Sequence, residues 1–578
     1  MKRLLLFAKP YFKQWTFAIF TLFIASLLEL SLPKFTQVGI DEYISTGNLS
    51  GLSHLIGWFF LVLLGLFISQ FWQTYTMDWL GQKIMFDLRR AVFGHIQHLP
   101  LKFFNKNPVG KLMTRVTSDI ESLNELFTSG LVAIFGDILT LVGIVIIMLI
   151  LNWKLALLTL VVLPLLFIVS ILFKIKVRDA FRLVRQRIAA INTYLQENIS
   201  GMVVSQLFNR EEKNFIKFDS LNRDHLQAFL KTIFYFALFF PLTGFISAVT
   251  TAFILWYGGV QVIAGALTFG GIVAFLQYVF MFYRPIRDLS EKYNILQAAM
   301  AASERVFHLL DESIEEDYVP GAPNLHPASG KIEFRDVWFA YNDETWILKN
   351  VNFTINPGEN IAIVGATGSG KTTLINLLGR FYDIQKGAIY LDGKNVRDYA
   401  LDDLRGQMSL VLQDVFLFAG TIAENISLGN KKIDTEKIAE AARLVNAMDF
   451  IEEMPQNLDT ELNERGSMLS VGQRQLLAFA RALAHDPAIL ILDEATSNID
   501  TETERLIQSA LEELMANRTS IIIAHRLSTI QHVDKIIVLH HGEIREIGSH
   551  QELLKMEGLY YKLYQLQFAN QDGVGNRA

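Results

Sequence analysis

Six apolar runs fill the first half of the chain, near Trp15–Val38, Leu55–Tyr75, Leu131–Leu151, Leu155–Leu172, Ile233–Tyr257 and Ile272–Tyr283. About 20 apolar residues are needed to cross roughly 30 Å of bilayer hydrocarbon, and the first five runs meet that length or come close. A backbone in hydrocarbon must satisfy its own polar groups, so these runs are expected to be helices. The sixth run is short and is followed by Arg284, Pro285 and Arg287. It spans only if its helix continues through them or takes in part of the preceding "VQVIAGALTFG". The third and fourth runs are joined by "NWK" alone and the fifth and sixth by "GGVQVIAGALTFG", so both pairs read as hairpins.

Loop charge gives the orientation. "GIDEYISTGNLSGLSH", between the first two runs, has no Lys or Arg, whereas the N-terminus and residues 82–127 and 174–231 are rich in both. The positive-inside rule places the N-terminus, both long loops and the C-terminal half in the cytoplasm. The start, "MKRLLLFAKPYFKQW", has an apolar run broken by Lys9 and Pro10 and lacks a small-residue cleavage site, so a cleaved signal is not expected. Within the first long loop, Ile84, Leu88, Val92 and Ile96 form a helical stripe that should prolong the second span. "PLKFFNKNPVGKL" and "ENISGMVVSQLFNREEKNF" read as short turns at the loop tips, shaped to touch another domain.

Of the 578 residues, 51% are hydrophobic, and that excess lies before about residue 300. No cysteine is present, which excludes disulfides, thiolate metal sites and cysteine nucleophiles. A net charge of −6 gives no support for nucleic-acid binding. The expected organisation is a transmembrane domain over 1–312, a charged, turn-rich linker over 313–330, and a soluble domain over 331–578 that ends in a helical tail. In the soluble part "NIAIVG", "GAIYLDG", "MSLVLQD", "AILILDE", "TSIIIAHR" and "KIIVLHHGEI" are strands between helical patterns, an α/β domain with a largely parallel sheet.

Gly365 to Thr372 match G-x-x-x-x-G-K-[ST] between a strand and a helix, and Thr373 follows. Gly365, Gly368, Ser369 and Gly370 would let backbone N–H groups face phosphates, Lys371 would reach the β- and γ-phosphates, and Thr372 would hold Mg²⁺. Asp493 ends an apolar strand and suits the Mg²⁺ shell; Glu494 beside it is placed to orient an attacking water. His525, after a third strand, becomes a γ-phosphate contact in that company. Gln413 and Tyr341 read equally well as a polar loop residue and a core aromatic.

The phosphate loop, "LSVGQRQ", "ILILDEATSNID" and "IAHRLSTI", in this order behind six spans, resemble an ATP-binding cassette (ABC) exporter half-transporter of the bacterial multidrug type, close to its MdlB-like subunits. The resemblance covers almost the whole chain and implies a six-helix transmembrane domain followed by a P-loop nucleotide-binding domain. It also implies ATP hydrolysis with Mg²⁺, location in the bacterial cytoplasmic (inner) membrane, and export of hydrophobic or cationic amphipathic compounds by alternating access. Two cassettes pair head to tail in such exporters. Ser470, Gly472 and Gln473 would therefore meet the nucleotide held by a partner half-transporter. Tyr341 looks like the adenine-stacking aromatic, Gln413 like the glutamine joining the Mg²⁺ site to the membrane domain, Glu494 like the catalytic glutamate, and His525 like the switch histidine. Asp500 resembles the aspartate between the two sites, and "TELNERG" the segment that senses coupling helices near Asn105–Gly110 and Ser200–Gln206.

Two positions depart from the pattern: Val471 stands where glycine is usual, and Asn498-Ile499 where Ala-Leu is usual. A β-branched residue cannot adopt positive φ cheaply, so Val471 predicts a weakened signature and a heterodimer, with a homodimeric lipid or peptide exporter as the alternative. Glu29 and Asp137 are acidic groups at membrane depth. They read either as contacts for cationic substrates or, for Asp137 especially, as one half of an ion pair. A channel subunit or a membrane-anchored nucleotide sensor fits six spans with an intact Glu494 and His525 less well.

Overall fold

The computed structural model describes the chain apart from residues 1, 315–327, 343–344, 494–500, 524–530 and 573–578. It divides into two compact units: Met1–Gln97 with Val109–Glu312, and His98–Pro108 with Ser313–Ala578.

The first unit is helical. Four helices among the described residues are long and apolar enough to cross a membrane. One of them holds two spans: in Val132–Ser200, Asn152 is extended (φ −161°, ψ 105°) and breaks the run between the third and fourth apolar stretches. The Asn152 side chain accepts from the Leu155 N–H at 3.0 Å, so it caps the helix that follows. The sixth run is apolar only over Phe269–Tyr283, yet its helix runs unbroken through Pro285 from Phe269 to Leu310. The second span likewise belongs to one helix, Leu49–Gln97, and Ile84, Leu88, Val92 and Ile96 form its buried stripe. Leu30, Ile144, Met148, Leu155, Ile254 and Phe275 come from different spans and share one core, where the Tyr278 hydroxyl donates to the Leu30 carbonyl at 2.8 Å. Asp137 is paired with Lys292, which settles its sequence reading in favour of the ion pair. Farther along the same long helix Arg305 pairs with the buried Asp119, which also takes Arg115 at 2.6 Å.

The second unit contains twelve described strands. The first six are β1 (Ile332–Phe339), β2 (Leu348–Ile355), β3 (Asn360–Val364), β4 (Lys386–Leu391), β5 (Lys394–Asn395) and β6 (Met408–Val411). The remainder are β7 (Gly420–Thr421), β8 (Glu461–Leu462), β9 (Ile489–Asp493), β10 (Thr519–Ile523), β11 (Lys535–His540) and β12 (Glu543–Gly548). A six-stranded sheet has the order β12-β11-β3-β10-β9-β6, parallel except for the β11–β12 hairpin. A separate antiparallel sheet has the order β2-β1-β4-β5. This corrects the expectation for "GAIYLDG", which is β4 and pairs with β1 rather than joining the parallel sheet.

Alternation along the parallel strands builds two cores, because successive side chains point to opposite faces. Ile361, Ile363, Ile489, Ile491, Ile521 and Ile523 face the antiparallel sheet and the helix Lys371–Leu378. Ala362, Val364, Leu490, Leu492, Ile522 and Val538 face the other way, toward the helices Val471–Ala484 and Thr501–Met515. The chain ends in two described helices, His550–Lys555 and Leu559–Asp572.

Candidate nucleotide site

Parallel register brings the sequence motifs to one edge of the sheet. Ile363 is level with Ile523, Ile523 with Asp493, and Val411 with Leu492. The loop after β3, Asp493 at the end of β9, and Gln413 two residues past β6 therefore all leave the sheet at its carboxyl edge, where open α/β sheets bind ligands. Glu494, Asp500 and His525 lie outside the described residues; the strands that lead to Glu494 and His525 end at this same edge.

The loop is shaped by its glycines. Gly370 has φ +106°, and a Cβ there would sit 2.7 Å from Leu348 Cδ2. A Cβ on Gly365 would overlap the Leu539 carbonyl oxygen, so the loop can run against β11 only with glycine at that point. Gly370 starts the helix Lys371–Leu378 without any side-chain cap and with no acidic residue in the first turn. That helix start therefore has no competing side-chain acceptor for its N–H groups, which suits an anion. Ser369 is buried, and its hydroxyl has no protein partner among the described residues. The orphaned hydroxyl and the uncapped helix start both fit a phosphate chain.

Lys371 lies folded back in the loop, its Nζ donating to the carbonyls of Gly365 at 2.7 Å and Ala366 at 3.3 Å. Burial holds its pKa below the ordinary lysine value, and the Asp493 carboxylate pulls in the other direction. Thr372 and Gln413 are exposed and Asp493 is half-buried. Thr373 is buried and shares a hydrogen bond with the Tyr341 hydroxyl at 3.1 Å. Tyr341 remains 37% exposed, enough of a ring face for a base to stack on.

Sequence reasoning missed Tyr382. Its ring stands edge-on to Tyr341 at 5.0 Å, and its hydroxyl accepts from Asn105 Nδ2 at 2.7 Å. Asn105 belongs to the short helix Leu101–Lys106, the first of the two expected turns. The second is also a short helix, Met202–Leu207. The signal for Tyr382 was its place in "GRFYD", directly after the phosphate-loop helix; nothing local in that string points to Asn105, 277 residues away.

The signature residues form a separate helix start. Ser470 caps Val471–Ala484: its Oγ accepts from the Gln473 N–H at 3.1 Å, and Gln473 Oε1 accepts from the Ser470 N–H at 2.9 Å. This reciprocal capping box satisfies two backbone donors at once. Gly472 is buried on the inner side of the first turn. Val471 is the first helical residue, is absent from the positive-φ residues, and is 51% exposed. The expected conformational penalty at Val471 is thus overturned, because a helix start asks only for negative φ.

A phosphate loop at the carboxyl edge of a parallel sheet, an acidic strand end beside it, and a chain whose other unit is a set of long apolar helices define an ATP-driven membrane transporter. The comparisons with known proteins agree. Residues 15–286 match the ABC transporter transmembrane region and residues 348–497 the ABC transporter domain. The chain is 41% identical to the uncharacterized ABC transporter ATP-binding protein YknV of Bacillus subtilis, over 98% of this chain and 94% of that protein. It is 38% identical to an ATP-dependent lipid A-core flippase of Syntrophus aciditrophicus, over 99% and 95% of the two chains. It is 36% identical to the putative multidrug export ATP-binding/permease protein YgaD of Bacillus subtilis, over 99% and 100%. Among solved structures, a bacterial Atm1-family ABC exporter with ATP bound superposes with a TM-score of 0.77 at 28% identity, covering 96% of this chain and 98% of that one.

The chain belongs to the ABC transporter family. It is a multi-pass membrane protein, an exporter of the multidrug or lipid type, and an ATPase whose hydrolysis is coupled to transport.

Proposed function

We propose that two such chains pair head to tail and export hydrophobic or amphipathic compounds across the cytoplasmic membrane, with the N-terminus and the nucleotide-binding domain on the cytoplasmic side. One observation carries the pairing. The phosphate-loop helix packs on one face of the six-stranded sheet and the signature helix on the other. One chain cannot bring both helix starts onto a single nucleotide, whereas the loop of one chain and the signature of another can meet around it.

In this reading Lys371 exchanges its contacts with the Gly365 and Ala366 carbonyls for the β- and γ-phosphates, and Ser369 offers its free hydroxyl. Tyr341 stacks on the adenine, and Thr373 holds the Tyr341 ring in place. Thr372, Gln413 and Asp493 would hold Mg²⁺, which would supply positive charge toward the phosphates. Glu494 orients the attacking water and His525 contacts the γ-phosphate. Across the interface the partner's Ser470 and Gln473 meet that phosphate and the partner's Asp500 lines the same junction; the start of the signature helix adds positive potential.

The substrate class rests on the names of relatives, a lipid A-core flippase and a putative multidrug exporter, and on spans rich in Phe, Leu and Ile. With Val471 on an ordinary helical backbone, a homodimer is the simpler assembly. The heterodimer expected from sequence retains only the bulk of an exposed isopropyl group as its argument. ATPase activity and particle mass, measured on the chain purified alone in nanodiscs, decide between them. A dimer with Glu494-dependent turnover supports the homodimer. A monomer, or an inactive dimer that a co-expressed relative activates, refutes it.

A further inference from the structure

A seam between the first two spans holds a feature outside the nucleotide site. Lys13, Gln14 and Phe17 of the helix Phe12–Val38 and Trp72, Tyr75, Thr76 and Trp79 of the helix Leu49–Gln97 line an open groove of about 370 Å³. The four positions on the second helix follow i, i+3, i+4, i+7 spacing and so form a single face. Ring contacts fix how the two helices run past each other: Phe17 meets Trp72 edge-on at 6.2 Å, and Tyr11 meets Trp79 at 6.1 Å. The groove is consequently polarised along the helix axes. Lys13, Gln14, Thr76 and Trp79 lie toward the N-terminal end of the first span, with Lys83 Nζ 5.8 Å from the Trp79 ring. Phe17 and Trp72 lie toward the membrane interior, about 6 Å deeper than Lys13 at 1.5 Å per helical residue.

Among the described residues, no carboxylate lines the groove. Asp87, on the polar side, accepts from the Tyr11 hydroxyl at 2.8 Å. Phe17, Trp72, Tyr75 and Trp79 are between 37% and 56% exposed, so the rings are open to an occupant rather than packed away. A cation at the headgroup level, aromatic rings beneath it and an opening between two spans complement one kind of molecule, an amphipath with an anionic head and a hydrocarbon tail. Lys13 would repel a quaternary ammonium head, so the aromatic rings do not select a cation here.

We propose that this seam binds one anionic phospholipid per chain, its phosphate at Lys13 and Lys83 and an acyl chain along Phe17 and Trp72. The proposal rests on the orientation given under Proposed function, since that leaflet carries the anionic lipids. The test places the full-length dimer in nanodiscs of phosphatidylcholine with graded phosphatidylglycerol, and native mass spectrometry counts the lipid retained. Wild type should retain phosphatidylglycerol in preference to phosphatidylcholine, one molecule per chain. Lys13→Gln should weaken that retention about fivefold, the effect of one basic residue at an anionic surface, while Trp256→Leu, at an exposed tryptophan elsewhere on the spans, should not change it. ATP turnover retained by Lys13→Gln shows that the variant is folded and leaves the transport reading standing whichever way retention falls. Retention that ignores Lys13, equal retention of phosphatidylcholine, or the same loss in Trp256→Leu overturns the site. So does a seam closed by the second chain, which would retain no phosphatidylglycerol in the dimer.

Discussion

Replacing Ser470 by aspartate separates two roles that an alanine substitution would confuse. Within its own chain Ser470 is an N-cap, with its Oγ 3.1 Å from the Gln473 N–H. Aspartate caps as well as serine does, and its charge suits a helix start that has no acidic residue in its first turn. Ser470→Asp should therefore keep the melting temperature of the full-length protein, whereas Ser470→Ala should lose about 1 kcal/mol of helix capping. In the proposed dimer the same side chain faces the γ-phosphate of the partner's ATP. A carboxylate about 4 Å from one phosphate charge, at an effective dielectric near 20, is opposed by about 4 kcal/mol. That corresponds to roughly a thousandfold loss of ATP-dependent turnover. Thermal unfolding followed by intrinsic fluorescence reads the first effect, and phosphate release by the reconstituted dimer reads the second. Ser470→Asp turning over within about tenfold of wild type, at unchanged stability, would mean that Ser470 only caps its helix, and the composite site would have to be abandoned.

Three further outcomes follow from the same geometry. Glu494→Gln should bind ATP normally and lose nearly all hydrolysis; multiple turnovers at wild-type rate would remove Glu494 from the role of base. Because burial depresses the Lys371 pKa and phosphate contact favours its charged form, ATP binding should take up protons as pH rises through the depressed value. Affinity should then fall above that pH, and calorimetry in buffers of different ionisation heat measures the uptake. Asn105→Ala and Tyr382→Phe each remove the 2.7 Å hydrogen bond between the docking helix and the aromatic beside Tyr341. Substrate-stimulated ATPase should fall in both while basal turnover persists, and the double variant should lose no more than either single one.

The nucleotide site was largely legible in the string because its chemistry is contiguous. A phosphate loop is read from eight consecutive residues, and its glycines, Lys371 and Thr372 lie in one strand–loop–helix unit. Tyr341 and Gln413 could only be told from bland alternatives by resemblance, since each draws its meaning from partners distant in sequence. The apolar runs were equally readable, because hydrocarbon allows a spanning backbone few choices.

What the chain by itself determined is therefore local: where helices must span and which loop grips phosphates. Only the tertiary structure decided the rest. It carried the sixth helix through Pro285, gave Lys292 to Asp137, and moved "GAIYLDG" out of the parallel sheet into an antiparallel one. It also put Val471 on helical backbone, where its branching costs little, and set the two phosphate-facing helices on opposite faces of one sheet. The Lys292–Asp137 pair, the β1–β4 pairing and the placing of the two helices depend on contacts between residues tens to hundreds of positions apart. Hydrophobic pattern fixes that such groups are buried or exposed, but strand order and helix packing choose their partners.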